Sequence, residues 1–594
     1  MKKHIIVLSL YLILAITFFS FYPSLKYGFV NRDDNFYVTE NPLIKELSWE
    51  NIKTIFSHPF MGHYHPLTLL SNSLEYHFFK LNPLVYHLTN LILHLMNGLL
   101  VFLMTFMLKG GVLTSLVVSL LFGVHPLHVE SVVWISARKD VLYTFFFLGS
   151  LILYLHYQKT QSVRTYLLSF ILFILSLLSK SMAVTLPVVL LLCDYLLHRK
   201  FDRKCLIEKI PFLITALIFG ISAFLAQGTG RTIGPKPSFS FINMIFVMSE
   251  ALVFYVSKLI LPIKLSCLYP FIRGDSPWRY VYMLFILGFL IGGVLLIIWG
   301  KNRKTIFGLL FFLVTLLPIL PLKIVADRFT YVPFLGIFFI FGEGFSWLYS
   351  RSQRDSRLMR TLFSIVLIGI IGVFSFLTWE GSQVWKDSIA LWGNVIKKYP
   401  NLPKAYASRG EAYSEIGQYD QAIKDYTQAL EINPKYAEAY YDRGNTYVKR
   451  GLLDQAISDY TKALEIDPRH AKAYYNRGNA YAKRELLDQA ISDYTKALEA
   501  NTQYVEAYTN RGSIYLTRGE YEKAISDFKK AIGINSRYAI AYYNQALAYE
   551  KIGRIWDAIQ AYRGFIKNAR PHYADHIPYA QERIRELSGG KTLF

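Results

Sequence analysis

The chain has 594 residues, of which 53% are hydrophobic and only 18% charged, and its mean hydropathy is +0.27. That is too apolar for an ordinary soluble protein and points to many membrane spans in a chain long enough for several domains. The formal charge of +22 does not bring nucleic acid with it, because many of the basic residues sit in short clusters between apolar runs and no nucleic-acid motif accompanies them.

The chain opens on "MKKHIIVLSLYLILAITFFSFY", a basic end followed by an apolar run. No small-x-small cleavage site follows, so it reads as an uncleaved first span with its amino end inside. Apolar runs then recur near 85–107, 112–125, 141–157, 165–179, 182–198, 210–226, 280–299, 305–322, 329–348 and 361–379. With the first, near 5–24, this gives about eleven spans. The basic loops 158–164, 198–204, 301–304 and 351–360 should face the cytoplasm, and eleven spans satisfy all four. A twelfth run, 241–261, breaks that parity if it crosses. It contains Asn243, Glu250 and Lys258 and reads as an interfacial or re-entrant helix on the outer side. The three cysteines, Cys193, Cys205 and Cys267, have neither metal spacing nor a paired framework.

From Pro403 the chain repeats every 34 residues: 403–436, 437–470, 471–504, 505–538 and 539–572. Position 8 of the frames reads Gly410, Gly444, Gly478, Gly512 and Ala546. Position 24 reads Tyr426, Tyr460, Tyr494, Phe528 and Tyr562. Small residues where two helices touch, with aromatics filling the gap, are the tetratricopeptide pattern. Pro400 continues the register upstream, so 381–402 reads as a half repeat with Ser388 and Trp392 at positions 20 and 24, docking the array directly on the membrane half. The fold class is therefore all-α: a polytopic helical membrane domain over 1–380, the half repeat 381–402, five repeats over 403–574 forming an α-solenoid, and a capping helix with a tail over 575–594. An odd number of spans puts the array outside the cytoplasm.

On this topology four loops bring ionisable residues to one outer face. The first holds Asp33, Asp34, His63, His65 and Glu75. The second, "HPLHVESVVWISARKD", holds His125, His128, Glu130, Arg138, Lys139 and Asp140. The third supplies Lys180, and the fourth, "ADRFTYVP", supplies Asp327 and Arg328. Each has a plain structural reading: Asp33 or Asp34 as a helix cap, the histidines as part of a structured turn, Asp140 as a cap, Asp327 with Arg328 as a local pair, Lys180 as a snorkelling cation. Their convergence on one face is harder to explain that way, since ionisable residues at span ends are functional candidates.

The segments "FVNRDDNFYVTENPLI", "YHPLTLLSNSLEYHFFKLNPLVYHLTNLILH", "HPLHVESVVWISARKDVLYTFFFL", "KSMAVTLPVVLLLCDY" and "ADRFTYVPFLG", followed by repeats, resemble the transmembrane and tetratricopeptide-repeat family related to protein O-mannosyltransferases, in the GT-C glycosyltransferase superfamily. The resemblance implies a GT-C-like multi-span enzyme that takes a sugar from a polyprenyl-phosphate carrier, with an acidic residue of the first outer loop as catalytic base. That position matches Asp33 or Asp34. Physical chemistry agrees: an acceptor hydroxyl needs a base within hydrogen-bond reach, and a leaving phosphate needs cations. Lys180, Arg138 and Arg328 suit the phosphate, with His125 and His128 as donors and Glu130, Asp140, Asp327 and His65 in support. No cofactor beyond the lipid-linked donor is required; a divalent cation held by the acids is compatible, though the adjacent aspartates alone do not make a metal site. The repeats would engage a protein acceptor or partner, and no nucleic acid is expected. Compact loops without targeting signals place the chain in a bacterial inner membrane with the repeats periplasmic. The competing readings are a non-catalytic anchored scaffold and a transporter or flippase, the latter lacking the internal repetition many transporters show.

Overall fold

The computed structural model describes residues 2–229, 241–272, 276–298, 302–355 and 357–589, and its chain divides after Pro400 into two units, each treated by itself. Lys301 and Ser356, in two of the expected basic loops, lie outside the described residues. Among the described residues there are helices and one isolated β-bridge, Phe60 with His63, but no strand.

The first unit is built on α1 (Lys2–Phe21), α2 (Pro66–Phe79), α3 (Pro83–Met107), α4 (Gly111–Val124), α5 (Val129–Val133), α6 (Arg138–Thr160), α7 (Val163–Ser179), α8 (Leu186–Leu196), α9 (Ile210–Thr229), α10 (Phe241–Ile260), α11 (Arg279–Ile298), α12 (Arg303–Leu316), α13 (Phe334–Asp355), α14 (Arg357–Gln383) and α15 (Ser388–Lys398). Among the described residues six helices are long and apolar enough to cross a membrane, and a seventh results if α4 and the following Pro126–Val133 segment, bent by 52°, count as one. Val163–Ser179, Ser181–Leu196 and Arg279–Gly288 form shorter apolar helices, so a count of eleven does not follow from helix length. The fold is that of a multi-pass membrane unit. Leu217, Phe224 and Ile368, exposed here, would face lipid.

The segment 241–261, expected as an interfacial or re-entrant helix, forms one continuous helix, Phe241–Ile260. α10 is unbroken, and Ile242–Ile260 is one of the six candidate spans. A single helix satisfies its own backbone, so Asn243, Glu250 and Lys258 do not interrupt it.

Helix–helix contacts restrict the topology further. Lys180 lies 5.4 Å from the Phe329 ring, so these two loops share one depth and an even number of crossings separates them. α8 to α12 make five helices between them, so one of the five does not cross fully. The contacts of Asp34 with Ser136 and of Lys180 with Asp140 each enclose two apolar helices or helix pairs and obey the same parity.

A polar stripe on α3 locks the site-bearing loops. His87, Asn90, His94 and Asn97 recur at helical spacing and are buried. His94 bonds the Tyr331 hydroxyl at 2.7 Å and the Gly123 carbonyl at 3.0 Å, Asn90 donates to the Trp134 carbonyl at 3.1 Å, and Asn97 donates to the Val141 carbonyl at 2.9 Å. These carbonyls stand where neighbouring helices start or stop. Pro126, which has no N–H to give, sits at the bend after α4.

In the second unit, helix pairs run from Pro403–Glu415 and Tyr419–Ile432 to Ala539–Lys551 and Ile555–Asn568, and His576–Leu587 follows, burying Ala580 in the last pair's core. A Cβ on Gly444 would come within 2.7 Å of the Tyr460 ring, and one on Gly512 within 2.8 Å of Phe528, which is why position 8 is small where position 24 is aromatic. The sequence reading missed a second device with the same period. Arg409, Arg443, Arg477 and Arg511 at position 7 grip Asp425, Asp459, Asp493 and Asp527 at position 23 through paired bonds of 2.6–2.8 Å. The last frame replaces both, with Gln545 and Ala561. Arg443→Ala strands the buried Asp459 carboxylate and is expected to cost about 3 kcal/mol, read as faster amide exchange across 437–466.

Candidate functional site

The loop after α1 separates the two adjacent aspartates by environment. Asp34 is 1% exposed. Its carboxylate accepts from the Val30 amide at 3.0 Å, the Ser136 amide at 3.0 Å and the Ser136 hydroxyl at 2.5 Å. Burial raises its pKa to about 6 against the pull of those donors, so it remains a carboxylate at neutral pH. It ties the loop to the start of the Ile135–Ala137 turn. Asp33 is only half-buried and sits at φ +151°, a conformation that costs a non-glycine residue about 1–3 kcal/mol and recurs at active sites. Its charge acts on Tyr37, Lys139 and Arg328. The loop is also pinned from α15: the Asn31 amide donates to Ser388 Oγ at 2.9 Å, and Trp392 Nε1 donates to Asn31 Oδ1 at 2.7 Å.

Lys139 and Arg328, on which the Asp33 charge acts, and Lys180, on which both of those cations act, come from three loops. Lys139 lies 4.8 Å over the Tyr37 ring and 5.8 Å over Trp134. Lys180 pairs with Asp140 and lies 5.4 Å from the Tyr143 ring. Arg328 binds Glu130 at 2.5 Å and lies 5.2 Å from the Trp134 ring. Glu130 also holds Arg32 at 2.8 Å and accepts from the Arg328 amide at 3.1 Å. Three buried polar atoms around this cluster, Trp134 Nε1, Asp140 Oδ2 and His65 Nδ1, have no hydrogen-bond partner in the protein. Among the described residues no group of three or more His, Cys, Asp or Glu side chains could hold a metal ion.

Three of the expected phosphate binders are placed elsewhere. Arg138 is fully buried and saturated: Glu75 takes it in a fork at 2.9 and 3.1 Å, the Tyr86 carbonyl accepts at 2.9 Å, and Asn90 Oδ1 takes its Nε. Its neighbour Lys139 faces the site instead, because consecutive helix residues do not share a face. His125 and His128 are buried: His128 bonds the Phe122 carbonyl at 2.7 Å, and His125 packs on Phe334, Phe338 and Phe374. Asp327 points away from the cations and accepts from the Tyr269 hydroxyl at 2.7 Å; burial, with Glu130's charge adding, raises its carboxyl. Arg32, Tyr37 and Trp134 were not read as site residues. Their signal was aromatic and cationic content inside the quoted loops.

His63 and His65 stack at 5.4 Å and 9° beside the cations. Burial, then Lys139, Lys180 and Arg328, lowers His63 to about 4, and burial, then Lys139, holds His65 well below the usual range. Both values lie below the ordinary 6.5 of an unfolded chain, so the unfolded state takes up more protons between about 4 and 6.5. Thermal stability is expected to rise with pH across that window and to be lost as pH falls through it. The slope should flatten in the His63→Asn and His65→Asn variants.

The second unit matches the family models described as "TPR repeat", over 410–451, 444–485 and 512–553, and "Tetratricopeptide repeat", over 391–424, 471–504 and 493–526. The Homo sapiens protein named Protein O-mannosyl-transferase TMTC2 is 31% identical over 241 residues, covering 36% of this chain and 28% of its own length. The chain carries tetratricopeptide repeats and is similar to proteins named protein O-mannosyl-transferases. The Mus musculus Protein O-mannosyl-transferase TMTC4 is 24% identical over 375 residues, covering 52% of the chain and 50% of its own length. The chain thus spans half or less of the length of these curated relatives. Among solved structures, one titled "Crystal structure of MamA protein" is 29% identical, covers 30% of this chain and 94% of its own, and has a TM-score of 0.27.

Proposed function

We propose that the protein is a GT-C-type glycosyltransferase that moves a sugar from a polyprenyl-phosphate carrier to an acceptor hydroxyl of a protein, on the extracytoplasmic face. The observation that carries this reading is the half-buried, strained Asp33 whose charge acts on Lys139 and Arg328, with Lys180 beside those two cations. A carboxylate beside a set of cations is what such a transfer needs. The acid takes the acceptor's proton as its oxygen attacks the anomeric carbon, and the cations hold the charge that develops on the departing phosphate. Asp33 is the base. Lys139, Lys180 and Arg328 take the phosphate, Glu130 and Asp140 orient two of these cations, and Arg138, His125, His128 and Asp34 hold the scaffold. A divalent cation, where the reaction uses one, would be shared with the phosphate. The names of the relatives support the transferase class, and the repeats support a protein acceptor or partner.

The face follows from the basic amino end. α1 crosses once, so Asn31, the site and Ser388 lie opposite Lys2. With Lys2 and Lys3 cytoplasmic, the site is periplasmic in a bacterial inner membrane. A reporter fused after residue 590 is expected to read as external; a cytoplasmic signal removes the shared-face basis of the proposal. The assay that tests the chemistry is sugar transfer from a polyprenyl-phosphate sugar with Asp33→Asn, and an unchanged rate refutes the assignment. An anchored scaffold without chemistry predicts instead that the repeats on any membrane anchor restore a deletion phenotype.

A further inference from the structure

A cavity of about 280 Å³ lies in the first unit apart from the three cations, between the chain that leaves α10 and the end of α14, with Asn394 and Lys398 of α15 on one side. It belongs to the level of lipid headgroups. The candidate spans Ile242–Ile260 and Arg357–Gln383 both have a terminus there. Ile260, Leu261 and Ile263 on one side, and Val373 and Phe376 on the other, are exposed apolar side chains, and exposed Trp379 is the residue type that anchors in the interface.

The cavity's lining carries charges of both signs, two of them without a hydrogen bond or ion pair among the described residues. Lys264 and Glu380 line it, are exposed, and make neither a hydrogen bond nor an ion pair with another described residue. Lys398, half-buried, turns its ammonium to the Leu265 carbonyl and the Asn394 amide oxygen. Deeper in, Asp327 is already engaged by Tyr269, and Glu130 by Arg32 and Arg328. A purely anionic ligand would leave Glu380 opposed, and a purely cationic one would leave Lys264 and Lys398 opposed. The volume falls at the small end of ligand pockets, enough for a compact headgroup and too little for an oligosaccharide.

We propose that this cavity binds the headgroup of an aminophospholipid, Lys264 and Lys398 taking the phosphate and Glu380 taking the primary ammonium, while the acyl chains lie along the exposed apolar faces of α10 and α14. The site is independent of the transferase reading. Because its inner wall includes Glu130, an occupied cavity would also brace the carboxylate that holds Arg328.

The test is photocrosslinking of the full-length protein in detergent with a phosphatidylethanolamine that keeps its primary ammonium and carries a photoreactive group on an acyl chain next to the glycerol, followed by peptide mapping. Label is expected on peptides covering 262–267 and 377–398, displaced by unlabelled phosphatidylethanolamine but not by phosphatidylcholine or phosphatidylglycerol. A quaternary ammonium cannot donate to Glu380, and a glycerol headgroup brings no cation. Lys264→Glu and Glu380→Lys should each lower labelling about tenfold, the loss of one charge-assisted hydrogen bond. The double reversal K264E/E380K, which keeps both signs, should recover it with the thermal midpoint unchanged. Even labelling over the whole membrane unit, equal displacement by phosphatidylcholine, displacement by phosphatidylglycerol, or displacement by a hydroxyl-bearing peptide overturns the proposal. None of these outcomes depends on sugar transfer.

Discussion

Asp33→Asn is expected to lower sugar transfer by about 10²- to 10⁴-fold, the usual contribution of a positioned general base, while the protein keeps its thermal midpoint. Asp34→Asn should do the reverse. An amide in that place must turn its NH₂ toward the Val30 or Ser136 donors, which now meet two or three at one carboxylate. The expected cost is about 1–3 kcal/mol of stability, with activity lost in proportion to folding. Measuring transfer and unfolding on the same two preparations separates the roles. If the Asn variant at 33 keeps its rate while the one at 34 keeps its stability but loses transfer, the assignment is inverted. Asp33→Glu adds a methylene at a strained position and should restore only part of the rate, since φ +151° leaves little room to re-aim the longer acid.

The two aspartates show where the sequence could be read and where it could not. The repeats were legible because a 34-residue period writes the same packing contact several times over: Gly444 against Tyr460 recurs as Gly478 against Tyr494. Half of the site was legible by the same logic of convergence. Glu130 and Asp140 share one loop, Lys180 and Arg328 come from two others, and the structure pairs each acid with one of these cations. The choice between Asp33 and Asp34 was not legible, because it is made by Ser136, 102 residues away. Arg138 was misplaced for a related reason. Its partner Glu75 lies 63 residues upstream, and only that fork, with Tyr86 and Asn90, turns the arginine inward and leaves Lys139 facing the site. The histidines of "HPLHVE" looked chemical, but burial against Phe122, Phe334 and Phe338 makes them part of the packing.

Removing the Arg328 guanidinium is the second large effect expected. Arg328→Ala should lower transfer by about 10²- to 10³-fold, the scale seen when one preorganised donor to developing charge is lost. Its position is fixed by a single acid: Glu130 takes the side chain at 2.5 Å and the Arg328 amide at 3.1 Å, and it takes Arg32 as well. Arg328→Lys keeps the charge but cannot hold Glu130 and still present a planar fork to the phosphate, so it should recover only a small part of the rate. Glu130→Gln gives a different signature. Gln lacks the charge that holds two guanidiniums at once, so Arg328 and Arg32 repel each other with nothing between them. The expected result is a raised KM for the lipid-linked donor, a smaller fall in kcat, and a stronger dependence of rate on ionic strength, since salt would then screen a repulsion that Glu130 normally cancels. A Glu130→Gln variant with unchanged KM and an Arg328→Ala variant with unchanged kcat would together place the phosphate elsewhere. The remaining cations, Lys139 and Lys180, would then have to carry it alone, with Lys180 still paired to Asp140.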